Sequence, residues 1–328
     1  MLDSASNQVN IFTESALFFE QLCIDVENAQ KSVSIQCMSF EADETGCALI
    51  DLLISKPNLK RTLLIDCYSK YVVNDTFLFS ISGLFNKNNA LTERLALSPL
   101  LKRAEKSGVV VKFTNPIGLL MWKYPARNHK KMVLIDDKIS YVGGVNFTDH
   151  NFEWPDLMIR HISTELNHAL GTSFKNDFEE KKAEPVQQIN ADTKLYTLNG
   201  LKTKGAYQNL LNTIKNASKV VAVSPYISYP MLDAIGNVAE NFVILPGKNN
   251  KNYMTFIHRL KRYESINYTY TNGSMIHMKL LIVDDETIVY GSSNFDLISY
   301  LFEKEIIIQK KDRDLAQKLT QAALKLIN

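Results

Sequence analysis

The chain has 328 residues, 45% of them hydrophobic and 22% charged, with a formal net charge of +2. That length suits two domains and leaves apolar material for a core in each. Thirty-seven basic against 35 acidic side chains is too even for a dedicated binder of duplex DNA, which needs a stronger cationic bias. A small anionic substrate stays open.

The first residues, MLDSASNQVNIF, have neither the basic nor the apolar region of a secretory leader. No stretch approaches the ~20 apolar residues of a membrane span. The expected location is the cytoplasm, with contact to a membrane surface at most. Cys23, Cys37, Cys47 and Cys67 match neither a zinc-ligand spacing nor a dense disulfide framework, so they read as reduced thiols packed as small hydrophobes.

Along the chain, two halves show the same order of elements. In the first, a helical pattern over 15–30 leads into an alternating strand over 32–37, a helix over 44–54 and a strand over 61–66. In the second, a helix over 206–216 is followed by a strand over 219–223, a helix over 229–240 and a strand over 242–245. Strands alternating with helices predict an α/β architecture with largely parallel sheets. The charged run Glu179-Glu180-Lys181-Lys182-Ala183-Glu184, closed by Pro185, marks the boundary, giving domains 1–184 and 185–328. The first half is longer by roughly 40 residues between the early strand and its motif, an insertion placed within 68–101.

Each half carries a His-x-Lys-x4-Asp motif with a tail ending in asparagine: His129, Lys131, Asp136 and Asn146, then His277, Lys279, Asp284 and Asn294. Every matched pair is 148 residues apart. One copy alone would be weak; two in register are a strong signal. Each copy reads as a β-hairpin with a polar tip. A two-residue turn at Asp137-Lys138 would set Lys131 opposite Gly144 and His129 opposite Asn146. The same count sets Lys279 opposite Ser292 and His277 opposite Asn294, so histidine, lysine and asparagine share one face. Asp136 and Asp284 fall at the turns and read as structural.

This set suits attack on a phosphodiester. Two lysines and two asparagines supply charge and donors for the phosphate oxygens. One histidine can attack phosphorus as neutral imidazole, and the other can protonate the leaving alcohol. A nucleophilic imidazole needs its second nitrogen held; Asp156 and Glu305, which follow the two motifs at similar distances, are the candidates. Glu303 reads as either a solvated residue or a substrate contact. His150, His161, His168 and His258 have no counterpart in the other half and read as ordinary surface or core histidines.

These residues resemble the phospholipase D superfamily. Phe113-Thr114-Asn115-Pro116 before Arg127-Asn128-His129, and Gly291-Ser292-Ser293-Asn294-Phe295-Asp296 with Ser299 and Glu305, look like its cardiolipin synthase and bacterial phospholipid branch. The resemblance implies two similar α/β/α sandwich domains related by a pseudo-twofold axis, the phospholipase D-like fold, with an active site at their interface. It implies ping-pong chemistry needing no metal and no cofactor. His129 would be the nucleophile and His277 the general acid/base, with Lys131, Asn146, Lys279, Ser292 and Asn294 on the phosphate. The implied partners are a glycerophospholipid and an alcohol or water acceptor, with nucleic acid only under the alternative of a nuclease of the same superfamily. Two departures are Leu297-Ile298, where an arginine is common, and the lack of the N-terminal membrane spans often seen in cardiolipin synthases. Residues 68–101 could cover an acyl-chain groove, and Leu119 to Tyr124 could touch a lipid headgroup layer.

Overall fold

A computed structural model describes residues 8–73, 76–77, 87–118, 122–273 and 275–327. The chain forms two compact units. The first comprises Met1–Lys123, Lys131–Glu153 and Met158–Ala183; the second comprises Tyr124–Lys130, Trp154–Leu157 and Glu184–Asn328. Two short segments from the first half of the sequence therefore belong to the second unit. One carries His129 and the other Asp156.

In the first unit the order is β1 (Gln8–Phe12), α1 (Ser15–Glu27), β2 (Ser32–Cys37), α2 (Glu44–Ile54), β3 (Lys60–Asp66), β4 (Val72–Val73), β5 (Thr76–Phe77), α3 (Lys87–Lys106), β6 (Val110–Thr114), β7 (Met132–Ile135), β8 (Ile139–Gly143), α4 (Asp149–Phe152), β9 (Met158–Ile162) and α5 (Thr164–Phe178). Seven strands make one sheet in the order β1-β9-β8-β7-β2-β3-β6. Phe18, Leu22 and Val26 of α1, Leu49, Ile50 and Leu53 of α2, and Leu97, Leu101 and Ala104 of α3 pack on Val33, Ile35, Leu63 and Ile65. Each such Phe, Leu, Ile or Val side chain contributes about 1.5–3 kcal/mol on burial. The opposite face of the sheet meets α5, where Gln36 Nε2 donates to Asp177 at 2.9 Å and Asn167 Nδ2 to the Ile139 carbonyl at 2.7 Å. Strands covered on both faces read as unbroken apolar runs, as in Met132–Ile135, which is buried throughout.

The second unit repeats the plan with β10 (Val186–Asn190), β11 (Thr193–Asn199), α6 (Lys204–Lys215), β12 (Lys219–Val223), α7 (Met231–Ile235), β13 (Glu240–Leu245), α8 (Tyr253–His258), β14 (Asn267–Tyr270), β15 (Leu280–Val283), β16 (Thr287–Gly291), α9 (Leu297–Leu301), β17 (Lys304–Lys311) and α10 (Arg313–Leu324). Its eight strands run β10-β11-β17-β16-β15-β12-β13-β14. Leu210, Leu211 and Ile214 of α6 pack with Val220, Ala222, Val243, Leu281 and Val289, while α10 lies against β15 and β16.

The α/β layering matches the sequence reading, but the sheets are mixed and mostly antiparallel. Among the described strands, only β2-β3-β6 and β12-β13-β14 run parallel. Parallel neighbours need a long crossover, which α2 provides between β2 and β3, whereas the motif hairpins turn back within a few residues. The helix expected over 229–240 shrinks to the five residues of α7.

The hairpin register also differs by one residue from the two-residue turn. Ile135 pairs with Ile139 and Val283 with Thr287, so each turn holds three residues, 136–138 and 284–286. Asp136 (φ 52°) and Asp284 (φ 52°) adopt the left-handed conformation that makes room for the extra residue. Their carboxylates hold the start of the neighbouring strand. Asp136 Oδ1 accepts from the backbone N–H of Lys31 at 2.8 Å and Ser32 at 3.0 Å, and Asp284 Oδ1 from Ser218 at 2.8 Å and Lys219 at 2.9 Å.

All four cysteines are free thiols. Cys37 is buried, and burial pushes it up to about 12. Of the region 68–101, residues 74–75 and 78–86 lie outside the described residues, as do 119–121, so the expected groove cover and headgroup contact fall partly there.

Candidate active site

His129 sits in a segment that runs parallel to the start of β17. Asn128 bridges Lys304, the Lys304 N–H donates to the Arg127 carbonyl at 2.7 Å, and the His129 N–H donates to the Lys304 carbonyl at 2.9 Å. The next residue on β17 is Glu305, and its Oε1 lies 2.9 Å from His129 Nδ1. His277 is held in the same manner. Its N–H donates to the Pro155 carbonyl at 2.8 Å, and Asp156 Oδ2 lies 2.6 Å from His277 Nδ1. Each histidine thus grips two consecutive residues, by main chain and then by ring.

The carboxylates are crossed with respect to the motifs they follow. Asp156 comes after the first motif but holds the second histidine; Glu305 comes after the second motif but holds the first. Both carboxylates are fully buried, and both histidines are nearly so. An ionised carboxylate only accepts, so each Nδ1 carries a proton and each Nε2 is the nitrogen left for chemistry. Burial alone would raise the Asp156 carboxyl, but the charges of Lys279 and His277 and hydrogen bonds from His277 and the Leu157 N–H outweigh it and hold the group below its ordinary range.

Glu305 is further braced by two hydroxyls. Ser299 Oγ lies 2.9 Å from Oε1, and Ser292 Oγ donates to Oε2. Ser292, expected at the phosphate, also accepts from the Ile306 N–H at 3.0 Å. Lys279 is wholly buried and donates to the His277 carbonyl. Trp154 packs 5.9 Å from the His277 ring, backed by Tyr226, Met254 and Met275. Asn294 has a buried Oδ1 with no hydrogen-bond partner among the described residues.

Within the first unit, Lys131 is buried, and Asn146 is tied by Oδ1 to the Ser39 N–H at 3.1 Å and by Nδ2 to Asn151 at 2.8 Å. Glu303 is buried rather than solvated. It joins His129 and Glu305 in the one cluster of metal-type donors among the described residues, all within 4.8 Å, and the contacts knitting that cluster are hydrogen bonds through Ser299 and His129. His258 is a core histidine whose Nε2 contacts the Ile227 carbonyl at 2.9 Å.

The family described as "Cardiolipin synthase, PLD-like domain" matches residues 22–178 and 210–327. The chain belongs to that family. Cardiolipin synthase 1 of Staphylococcus epidermidis is 27% identical over 97% of this chain and 67% of its own length. The major cardiolipin synthase of Bacillus subtilis is 25% identical over 95% of this chain and 67% of its own length. Among solved structures, phosphatidylserine synthase of Haemophilus influenzae superposes with a TM-score of 0.73 at 14% identity, covering 98% of this chain and 86% of that one. The match fixes the phospholipase D-like fold. For a member of the cardiolipin synthase family, the two histidine–carboxylate pairs are the feature that bears on chemistry.

Ser299 and Trp154 carry no assigned role in the motif reading. Glu303 had one usable signal: it stands two residues before Glu305, and residues two apart on an extended chain share a face.

Proposed function

We propose that this chain is a phosphatidyltransferase of the phospholipase D superfamily working through a phosphohistidine on His129. The observation that carries the reading is the pair of buried histidines, each with Nδ1 fixed by a buried carboxylate. His129 Nε2 attacks phosphorus, the bond to the leaving alcohol breaks, and His277 Nε2 gives that alcohol its proton. A second alcohol then loses its proton to His277 and attacks phosphorus, and the phosphorus–nitrogen bond breaks to restore His129. Lys131, Asn146, Lys279 and Asn294 are assigned to the phosphate oxygens, where fixed charge and amide donors stabilise the transition state.

Relatives named cardiolipin synthase favour a phosphatidylglycerol-like donor and a lipid alcohol as acceptor. The protein would work on the membrane surface. No described helix is long and apolar enough to cross a membrane. Trp122 is 70% exposed with Lys123 beside its ring. On α8, Tyr253 (55%) and Phe256 (69%) project one turn apart, in a stretch with exposed Lys248, Arg259 and Lys261. Exposed aromatics interleaved with cations suit an anionic headgroup layer better than a nucleic-acid channel.

Purified protein with phosphatidylglycerol vesicles and a chelator should form a two-phosphate lipid or, with water as acceptor, phosphatidic acid. A parallel reaction on single-stranded DNA should show no cleavage. DNA cleavage without lipid turnover would overturn the proposal.

A further inference from the structure

Two glutamates flank the Ser299 hydroxyl. Glu303 Oε2 lies 2.9 Å from Ser299 Oγ, and Glu305 Oε1 lies 2.9 Å on its other side. Asp296 holds the Ser299 N–H at 2.8 Å, capping α9. A serine has one proton to donate, so Ser299 can serve one glutamate as donor and must accept from the other. Glu305 already takes bonds from His129 and Ser292, which favour its charged form. Ser299 is the one hydrogen-bond partner of the Glu303 carboxyl among the described residues.

We propose that Glu303 is a positioning residue that stays protonated in the working enzyme, donating to Ser299 so that Ser299 donates to Glu305. The chain Glu303–Ser299–Glu305–His129 then carries one negative charge, placed on the carboxylate that orients the nucleophile. This rests on the phosphohistidine reading above. It extends that reading by setting the charge of the pocket behind His129.

The groups facing Glu303 agree. Burial pushes its carboxyl up to about 7; His129 and the Ser299 bond act against this, while the charges of Glu305 and Asp296 add to it. Asp296 is itself raised, first by burial, with Glu305 adding to that and Lys251 opposing it. Ionising Glu303 would place a second anion within 4.8 Å of a ring nitrogen of His129 and a carboxylate oxygen of Glu305, and the substrate approaching His129 is a phosphodiester anion. Repulsion of that anion at short range is worth a several-fold loss of affinity. It would also leave two carboxylates competing for one hydroxyl proton.

The test compares the parent with Glu303→Gln, whose amide donates to Ser299 as the neutral acid does. In the parent, kcat/KM with phosphatidylglycerol should fall by about five-fold between about pH 6 and about pH 8.5, carried mainly by a rising KM. In Glu303→Gln that fall should flatten to within about two-fold. Infrared difference spectra should show a protonated carboxylic acid near pH 6 that is absent from Glu303→Gln. An unchanged pH profile in the variant, or no protonated carboxyl assignable to Glu303, overturns the proposal. The infrared signal does not depend on turnover, so it decides the protonation state even if phosphatidyl transfer itself is not found.

Discussion

Asp156 and His277 meet at 2.6 Å across 121 residues of chain, while Glu305 reaches back 176 residues to His129. The crossing makes the carboxylates informative. If each pair acts as a unit, Asp156→Asn should behave like a His277 variant and Glu305→Gln like a His129 variant. His129→Ala and Glu305→Gln should lose the radiolabelled phosphoenzyme. His277→Ala and Asp156→Asn should still trap it, with turnover down about 10²–10⁴-fold. Label surviving in His129→Ala but lost in His277→Ala would reverse the two roles.

Asp136 and Asp284 should matter to stability and little to chemistry. Each supports two or more strand N–H groups, so Asp136→Ala or Asp284→Ala should cost about 1–3 kcal/mol in urea unfolding with kcat changed by less than about three-fold. The Asp136 carboxyl is raised by burial but lowered more by the N–H groups of Ser32, Gln30 and Lys31, and it ends below its ordinary value. A depressed carboxylate stabilises the fold above its ordinary range and loses that contribution as pH falls through the folded value. Asp136→Asn should therefore unfold with a weaker acid dependence than the parent.

Another carboxylate, on α1, anchors the first unit. Asp25 on α1 takes Arg160 Nε at 2.6 Å and Nη2 at 2.9 Å, and the Tyr141 hydroxyl as well. Removing one member strands buried polar groups, so Asp25→Ala should destabilise the protein by about 3–5 kcal/mol. Denaturant titration followed by circular dichroism reads this directly. A loss below about 1 kcal/mol would mean that water replaces the carboxylate.

For the membrane contact, Phe256→Glu should reduce co-sedimentation with phosphatidylglycerol vesicles by several-fold while leaving the unfolding midpoint unchanged, because the side chain is solvent-facing. Raised salt should weaken the binding of the parent. Binding that ignores both changes would place the contact elsewhere.

The sequence shows the layers and the site in different measure. Period and repeat were enough for β2, α2 and β3, because a helix between two apolar runs has few other ways to fold. They missed the antiparallel majority, since pairing direction depends on which strands become neighbours. The hairpin count failed by one because Asp136 takes a left-handed conformation, and no spacing argument requires an aspartate to do so. The two histidines and the two carboxylates were all legible. The crossing was not, because both carboxylates follow their motifs at similar distances and nothing in the sequence assigns either to one histidine. The buried state of Glu303 depends on Ser299 and the turn into β17, a tertiary fact with only a two-residue periodicity to hint at it.

The crossed carboxylates bear on how this chain can be cut and how it can evolve. A fragment of residues 1–183 holds His129 and Asp156 without their partners, and 184–328 holds His277 and Glu305 without theirs. Neither fragment retains an intact dyad within one chain. For the same reason the two repeats constrain one another's descent: a change in either histidine's setting is selected through a residue inherited with the other copy.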